Sequence, residues 1–330
     1  MRKYLFVIAV LFFAGQTNAQ SGYKIVNTFH IKSGGGWDYI AVHVERLYVS
    51  HGTQVNILDK KTGVSLGVIP GTTGIHGIAF DDALGRGYTS NGRLNNVFVF
   101  DLETNKILDS VKTGTNPDAI MFEPFSKMII TCNGRSNDLS LIDPQTNKLA
   151  ATIAVGGKPE TAVSDGNGKL FVNIEDKNEI ALVDLKTMKM ISTWPLDGGE
   201  EPTGLVYDAT SKRLFAGCDK LLVILDATSG NVVSKIPIGE GCDGVAFDNA
   251  SKTIFTANGQ EGTITVIKEK SANDFSVVEN VPTKKGARTI TIDESTHTLY
   301  LPTAEFEANT PKGQWPKMIP GTFMVLVVSK

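Results

Sequence analysis

Seven residues at one recurring position carry most of the candidate chemistry: Asp38, His76, Asp118, Glu160, Thr203, Asp243 and Arg288. Four of the seven are acidic, in a chain where Asp and Glu make up 35 of 330 residues. Carboxylates gathered at one mouth repel, and each raises its neighbours' proton affinity unless a cation intervenes. Arg288 falls between Asp243 and Asp38 in ring order and would offset part of that repulsion. His76 falls between Asp38 and Asp118, where it could bind a metal or accept a proton. The oxygen set Asp38, Asp118, Glu160 and Asp243 suits a hard divalent cation such as calcium. If the mouth is catalytic, His76 and Glu160 are the acid/base candidates. The simpler reading is a set of solvated rim residues, or residues that bond the backbone of their own loops.

The elements that must position these residues repeat from end to end. Thr115–Gly156 shows one unit, with apolar runs at Ala119–Phe122, Met128–Cys132, Leu139–Ile142 and Leu149–Val155 separated by breaks rich in Asn, Asp, Gly and Pro. Such runs and breaks read as strands and tight turns, and a recurring four-stranded unit of about 40 residues is the sign of a propeller blade. Aligned on one turn aspartate, the copies fall at Asp59, Asp101, Asp143, Asp184 and Asp226, at intervals of 42, 42, 41 and 42. The sixth copy carries Lys268 there. The seventh has Thr289–Ile292, Thr298–Leu301 and Phe323–Val328, then stops one strand short. Lys24–Ile31 matches Lys148–Val155, a fourth strand, so the N-terminal segment is expected to complete the last blade. Closure of that kind leaves no long open sheet edge. The expected fold is all-β, a seven-bladed propeller with four antiparallel strands per blade. The first strand of each blade would line the channel, and the seven residues above would ring its mouth.

The second strands read Leu47-Tyr48-Val49-Ser50, Gly87-Tyr88-Thr89-Ser90-Asn91, Leu170-Phe171-Val172-Asn173, Leu214-Phe215-Ala216 and Leu299-Tyr300-Leu301. With the V-x-V-I-D-x-x-T-x-K stretch that follows, the chain resembles the YVTN-repeat (YncE-like) family of exported bacterial seven-bladed propellers, within the wider WD40/YVTN repeat-like group. The resemblance covers essentially everything after residue 19. It implies the fold and says little of function, because the motif residues are core aromatics and side chains that bond their own turns. Some members are described as DNA binders. The acidic mouth argues against carrying that over, while Arg93, Arg135, Lys60-Lys61 and Lys284-Lys285 leave it open.

The loops between second and third strands should open on the same face as the ring. Three begin alike, at Asn91-Gly92-Arg93, Asn133-Gly134-Arg135 and Asn258-Gly259-Gln260. Asn-Gly is first a turn former, yet Arg93 and Arg135 could reach an anionic ligand. His51, in the matching blade 1 loop, reads as a surface histidine. In blade 7 this connection swells to residues 304–322, holding Glu305, Phe306, Glu307 and Trp315 and stiffened by Pro311, Pro316 and Pro320. Long loops on rigid scaffolds often carry function, so it reads as a lid with Trp315 near the ligand, or as an inert flap. Cys218 and Cys242 fall towards this face and could pair between neighbouring blades; Cys132 reads as a buried thiol.

Arg2-Lys3, the apolar run Tyr4–Gly15 and the small-x-small Thr17-Asn18-Ala19 read as a signal peptide over 1–19. Residues 20–330 then form one exported domain, periplasmic or extracellular. The apolar run is a dozen residues, short of the roughly 20 that span a bilayer. Removing Arg2 and Lys3 takes the formal charge from −3 to −5, which does not suggest a dedicated nucleic-acid binder. No zinc spacing, G-x-S-x-G, H-E-x-x-H or P-loop occurs. The expected function is a non-catalytic propeller that binds a small ligand, a cation or a protein partner at the mouth. The alternatives are a cation-dependent lactonase or lyase at the same mouth, and a cell-surface interaction scaffold.

Overall fold

The computed structural model describes residues 22–308 and 316–330. The expected signal peptide, Pro311 and Trp315 lie outside the described residues. Seven four-stranded antiparallel sheets follow one another. The third blade comprises Pro117–Glu123, Met128–Asn133, Asp138–Asp143 and Lys148–Ala154. In the seventh, Thr291–Asp293, Thr298–Thr303 and Met324–Ser329 are completed on the outside by Lys24–His30. Phe29 stands opposite Val325, and His30 opposite Met324. Among the described residues no helix is long and apolar enough to cross a membrane.

Burial explains the strand sequences. The third strand Asp138–Asp143 is buried at its four central residues, because neighbouring blades cover both of its faces. The outer strand Lys148–Ala154 is mostly exposed. Between blades, Phe29, Leu47, Val49, Tyr300, Phe323 and Val325 form one cluster joining the last blade to the first. The turn aspartates act as read: Asp59 Oδ1 accepts from the Lys61 and Thr62 N–H groups and the Thr62 hydroxyl. In blade 6, where Lys268 stands instead, the hairpin lengthens to Thr263–Ser271 and Asp274–Pro282.

A second tie was not legible in the motif. The arginine opening a second strand reaches into the next blade's turn. Arg46 donates to the Leu102 carbonyl at 2.7 Å, Arg86 to that of Pro144 at 2.7 Å and Arg213 to that of Ala272 at 2.8 Å.

Three aspartates, one of them the turn residue Asp226, predict the acid limit of stability. Asp208 and Asp293 lie at hairpin turns and pair with Lys252 at 2.8 Å and Lys60 at 2.9 Å; Asp226 pairs with Arg213 at 2.7 Å. Burial opposes ionisation of Asp208 and Asp293, but the hydrogen bonds they accept outweigh it, and each sits at about 2 against an ordinary 3.8. For Asp226 the Thr228 hydroxyl is the first cause, and it too falls to about 2. A depressed folded-state pKa stabilises above the unfolded value and ceases to do so below the folded one. Stability is therefore expected to drop as pH falls from about 4 to about 2, by roughly 2 kcal/mol per aspartate. Urea midpoints against pH check this, and Lys252→Met should flatten the drop. An unchanged slope in that variant would refute the assignment to Asp208.

Candidate functional site at the channel mouth

The ring residues stand where the first strand breaks register. In blades 1, 2, 3, 4 and 6 the pairing between first and second strands slips across Trp37/Ile40, Ile75/Ile78, Pro117/Ile120, Pro159/Ala162 and Cys242/Gly244. Asp38, His76, Asp118, Glu160 and Asp243 lie within these slips. A bulge bends its strand and re-aims a side chain, which is how a regular repeat can present irregular chemistry. In blades 5 and 7 the first strand starts later, at Leu205 and Thr291, so Thr203 and Arg288 lie in the entering loop.

Hydroxyl groups bind the bulges in place. Ser50 Oγ accepts from the Asp38 N–H at 3.0 Å and donates to the Tyr39 carbonyl at 2.8 Å. Ser90 Oγ accepts from the Gly77 N–H at 2.8 Å and donates to the Asp118 carbonyl. Thr289 Oγ1 donates to the Asp38 carbonyl at 2.7 Å and Thr203 Oγ1 to that of Cys242 at 2.9 Å.

Charges around the ring pair in sequence. Arg288 Nη1 meets Asp38 Oδ1 at 3.2 Å and also binds Asp243 Oδ2, while Nη2 donates to the Trp37 carbonyl at 2.8 Å. His76 Nδ1 is 2.5 Å from Asp38 Oδ2 and 3.6 Å from Asp118 Oδ1. Lys158 Nζ meets Glu160 Oε1 at 2.7 Å and also binds Glu175. Asp118 is thus the ring carboxylate without a lysine or arginine of its own among the described residues.

Proton affinities follow from these pairings. Burial opposes ionisation of Asp38, but Arg288 and His76 hold it below the ordinary carboxylate range. Burial would push His76 down, yet the Asp38 and Asp118 carboxylates raise it. Burial and the Asp38 charge push Asp118 up to about 7. Burial also raises Glu160 well above the ordinary range, with Asp118 adding to it and Lys158 opposing. Asp243 rises through burial despite Arg288.

One atom each from Asp38, His76 and Asp118 lies within 4.8 Å of the others, close enough to share a cation. Of the four carboxylates expected to hold a calcium ion, Asp38 and Asp118 fall in this group. Among the described residues Glu160 and Asp243 do not join that group, because Lys158 and Arg288 hold them. Arg93 and Arg135 are exposed on the loops and form no ion pair among the described residues; they stand outside the ring.

Three other expectations change. His51 is not a surface residue but fully buried. Its Nε2 donates to the Gly35 carbonyl at 2.8 Å, its Nδ1 accepts from Ser33, and its ring stacks on Phe323 at 3.7 Å. It latches the chain that leads from the closing strand into blade 1. Cys218 and Cys242 are free buried thiols, as is Cys132, so no disulfide joins blades 5 and 6. The Asn-Gly pairs do not make a left-handed turn at glycine: Asn95, Asn137 and Gly262 take positive φ instead. Space requires two of the three glycines, Gly92 and Gly259; at Gly134 a Cβ would have ordinary room. A Cβ at Gly92 would stand 2.6 Å from His76 Nε2, and one at Gly259 2.5 Å from Arg288 Cβ.

Two site residues were missed. Lys158 precedes Glu160 by two positions, where siblings offer no cation. Tyr39 follows Asp38, and the matching residues in the other blades are Gly77, Ala119, Thr161, Gly204, Gly244 and Thr289, all small. A bulky residue unique at a channel-lining position was a readable signal. Burial, then the charges of Asp118, Glu160, Asp38 and Asp243, raise the Tyr39 phenol well above its ordinary value, which places it amid the ring. Of the blade 7 loop, the described base packs Phe306 against Trp37, ring centroids 6.0 Å apart, and pairs Glu305 with Lys284 at 2.6 Å.

No protein-family model matches the chain, and no curated protein matches it. Among solved structures it is similar to hydrazine synthase of Kuenenia stuttgartiensis, with a TM-score of 0.73 and 16% identity over 82% of this chain and 94% of that one. The chain is a seven-bladed β-propeller. At that identity the likeness extends to the fold alone. The propeller's chemistry must be argued from its own mouth.

Proposed function

We propose that the propeller is an exported, non-catalytic binding protein of the YVTN-repeat (YncE-like) kind that takes a cationic ligand at its channel mouth. Asp118 is the observation that carries this reading. It is a buried carboxylate between Asp38–His76 and Glu160, and the ring supplies it no lysine or arginine. A ligand's positive charge would offset the burial and the Asp38 repulsion that raise its proton affinity. The simplest such ligand is a divalent cation held by Asp38, His76 and Asp118. The histidine nitrogen adds to the donor set what calcium rarely takes, so manganese- or zinc-class ions fit it as well. The runner-up, a cation-dependent lactonase or lyase, draws on the same cluster: a histidine between two carboxylates, one poised near neutrality, is what acid/base work needs. Support for nucleic-acid binding weakens at the basic pairs. Lys60 is buried against Asp293, Lys61 pairs with Glu45 at 2.7 Å, and Lys284 pairs with Glu305.

Thermal melts with calcium, manganese, zinc or a chelator test the divalent form. At a hundredfold excess over Kd, binding adds about 2.7 kcal/mol, a rise of roughly 5 °C or more for a domain of this size. Asp118→Asn should abolish the rise. No response to any of the three metals would remove the divalent form of the proposal and the metal-dependent enzyme with it.

A further inference from the structure

A cavity of about 160 Å³ lies in the channel directly beneath the charged ring, on the side of blades 1 to 4. Its lining comes chiefly from the residues that follow Asp38, His76, Asp118 and Glu160 along their strands, among them Ile40, Ile78, Ile120 and Met121, and is completed by Ile130 and Cys132 of blade 3's second strand; Tyr39, Thr161 and the Cys132 thiol are its polar members. A dry apolar cavity of about 150 Å³ is enough to hold a benzene ring. The Thr161 hydroxyl is buried and has no hydrogen-bond partner among the described residues. A bare metal ion would occupy the ring and leave both the cavity and this hydroxyl unused.

We infer that the cationic ligand is an organic amine with one ring, or a branched chain of similar bulk, its ammonium group at Asp118 and its apolar body in this cavity. This rests on the proposed cation-binding mouth and names the ligand class that mouth takes. The chemistry is complementary at each level. An ammonium carries three donors and no acceptor, which matches the Asp118 carboxylate, whose ion-pair partner among the described residues is His76 rather than a lysine or arginine. Tyr39 lines the cavity next to Asp38, and an aromatic ring beside a cation can add to its binding through the ring quadrupole. Below, the isoleucines and Met121 take apolar surface out of water, at about 25 cal/mol per Å². Thr161 can turn its hydroxyl to a ligand acceptor or to a water carried in with the ligand.

Size follows from the walls. Gly77 faces Ile120 so closely that a Cβ there would stand 2.8 Å from Ile120 Cγ2, so the channel cannot widen on that side without moving blade 3. A two-ring amine should therefore be excluded. Shape and charge together specify a small amphipathic cation.

Calorimetric titration and thermal melts of the mature chain with 2-phenylethylamine test this, set against 2-phenylethanol, ammonium chloride and calcium chloride. Saturable 2-phenylethylamine binding is expected, at least tenfold tighter than either the neutral or the apolar-free analogue. Ala162→Leu, which fills the cavity without touching the ring charges, should weaken the amine at least tenfold and leave any calcium response intact. Asp118→Asn should weaken both. Equal binding of amine and alcohol, or amine binding unchanged in Ala162→Leu, would overturn the inference. Calcium binding with no amine binding would overturn it while sparing the cationic mouth. Binding of neither the amine nor any of calcium, manganese and zinc would remove both. A native urea midpoint for Ala162→Leu shows that lost binding is not lost folding.

Discussion

Phe29→Ala is expected to cost about 3–5 kcal/mol of stability, the range for truncating a buried aromatic side chain. Phe29 is 4% exposed although its strand is otherwise largely open to solvent. It is the residue by which that strand grips both neighbours. It lies in the cluster with Tyr300 and Val325 of its own blade and Leu47 and Val49 of the first. Gly63, in the blade 1 turn, sits so close that a Cβ there would be 2.3 Å from the Phe29 ring. Truncation therefore empties a site walled by backbone, which collapses poorly, and loosens the joint that closes the ring. Urea unfolding followed by tryptophan fluorescence measures it. Val26→Ala, at 49% exposure on the same strand, should stay within about 0.5 kcal/mol. Equal losses in the two variants would mean that closure does not depend on this contact.

Arg288→Met is expected to destabilise by about 3 kcal/mol, at the low end for breaking a buried ion pair because the mouth is partly wet. The loss is double. The Asp38 and Asp243 carboxylates are left facing each other without a cation, and the Trp37 carbonyl loses its donor. Because the cost is mainly an uncompensated charge, Arg288→Met with Asp243→Asn should recover part of it. A double-mutant cycle in urea gives the coupling, expected at 1 kcal/mol or more. Additive effects would show that Arg288 is held by packing alone. Arg288→Met should also leave any cation binding at Asp118 in place or strengthened, since it removes a competing positive charge from the ring.

Almost all of the architecture was legible because it repeats. The turn aspartate recurs at near-constant intervals, and the orphan Lys24–His30 strand has a sibling in Lys148–Ala154 to be recognised by. Ring membership was legible for the same reason: Asp38, His76, Asp118, Asp243 and Arg288 occupy one alignment column, and the structure brings them into contact. What escaped depends on contacts between columns. Lys158 matters because it reaches both Glu160 and Glu175 on the next loop. His51 is buried because Phe323, far along the chain, covers it. Gly92 and Gly259 look like turn residues in a local reading, yet their reason is the side chain overhead. Arg46, Arg86 and Arg213 reach carbonyls 56 to 59 residues ahead, a relation visible only once neighbouring blades are placed side by side.

The closing strand sets a clock on folding. Lys24 pairs with Ser329 and His30 with Met324, so nearly the whole chain separates the partners of one sheet. Contacts of such sequence separation form late, because the intervening loop must be ordered first. At synthesis rates of about 5–20 residues per second, the segment that closes the ring waits roughly 15–60 s for its partner to exist. Through that interval the blades already made keep one end uncapped.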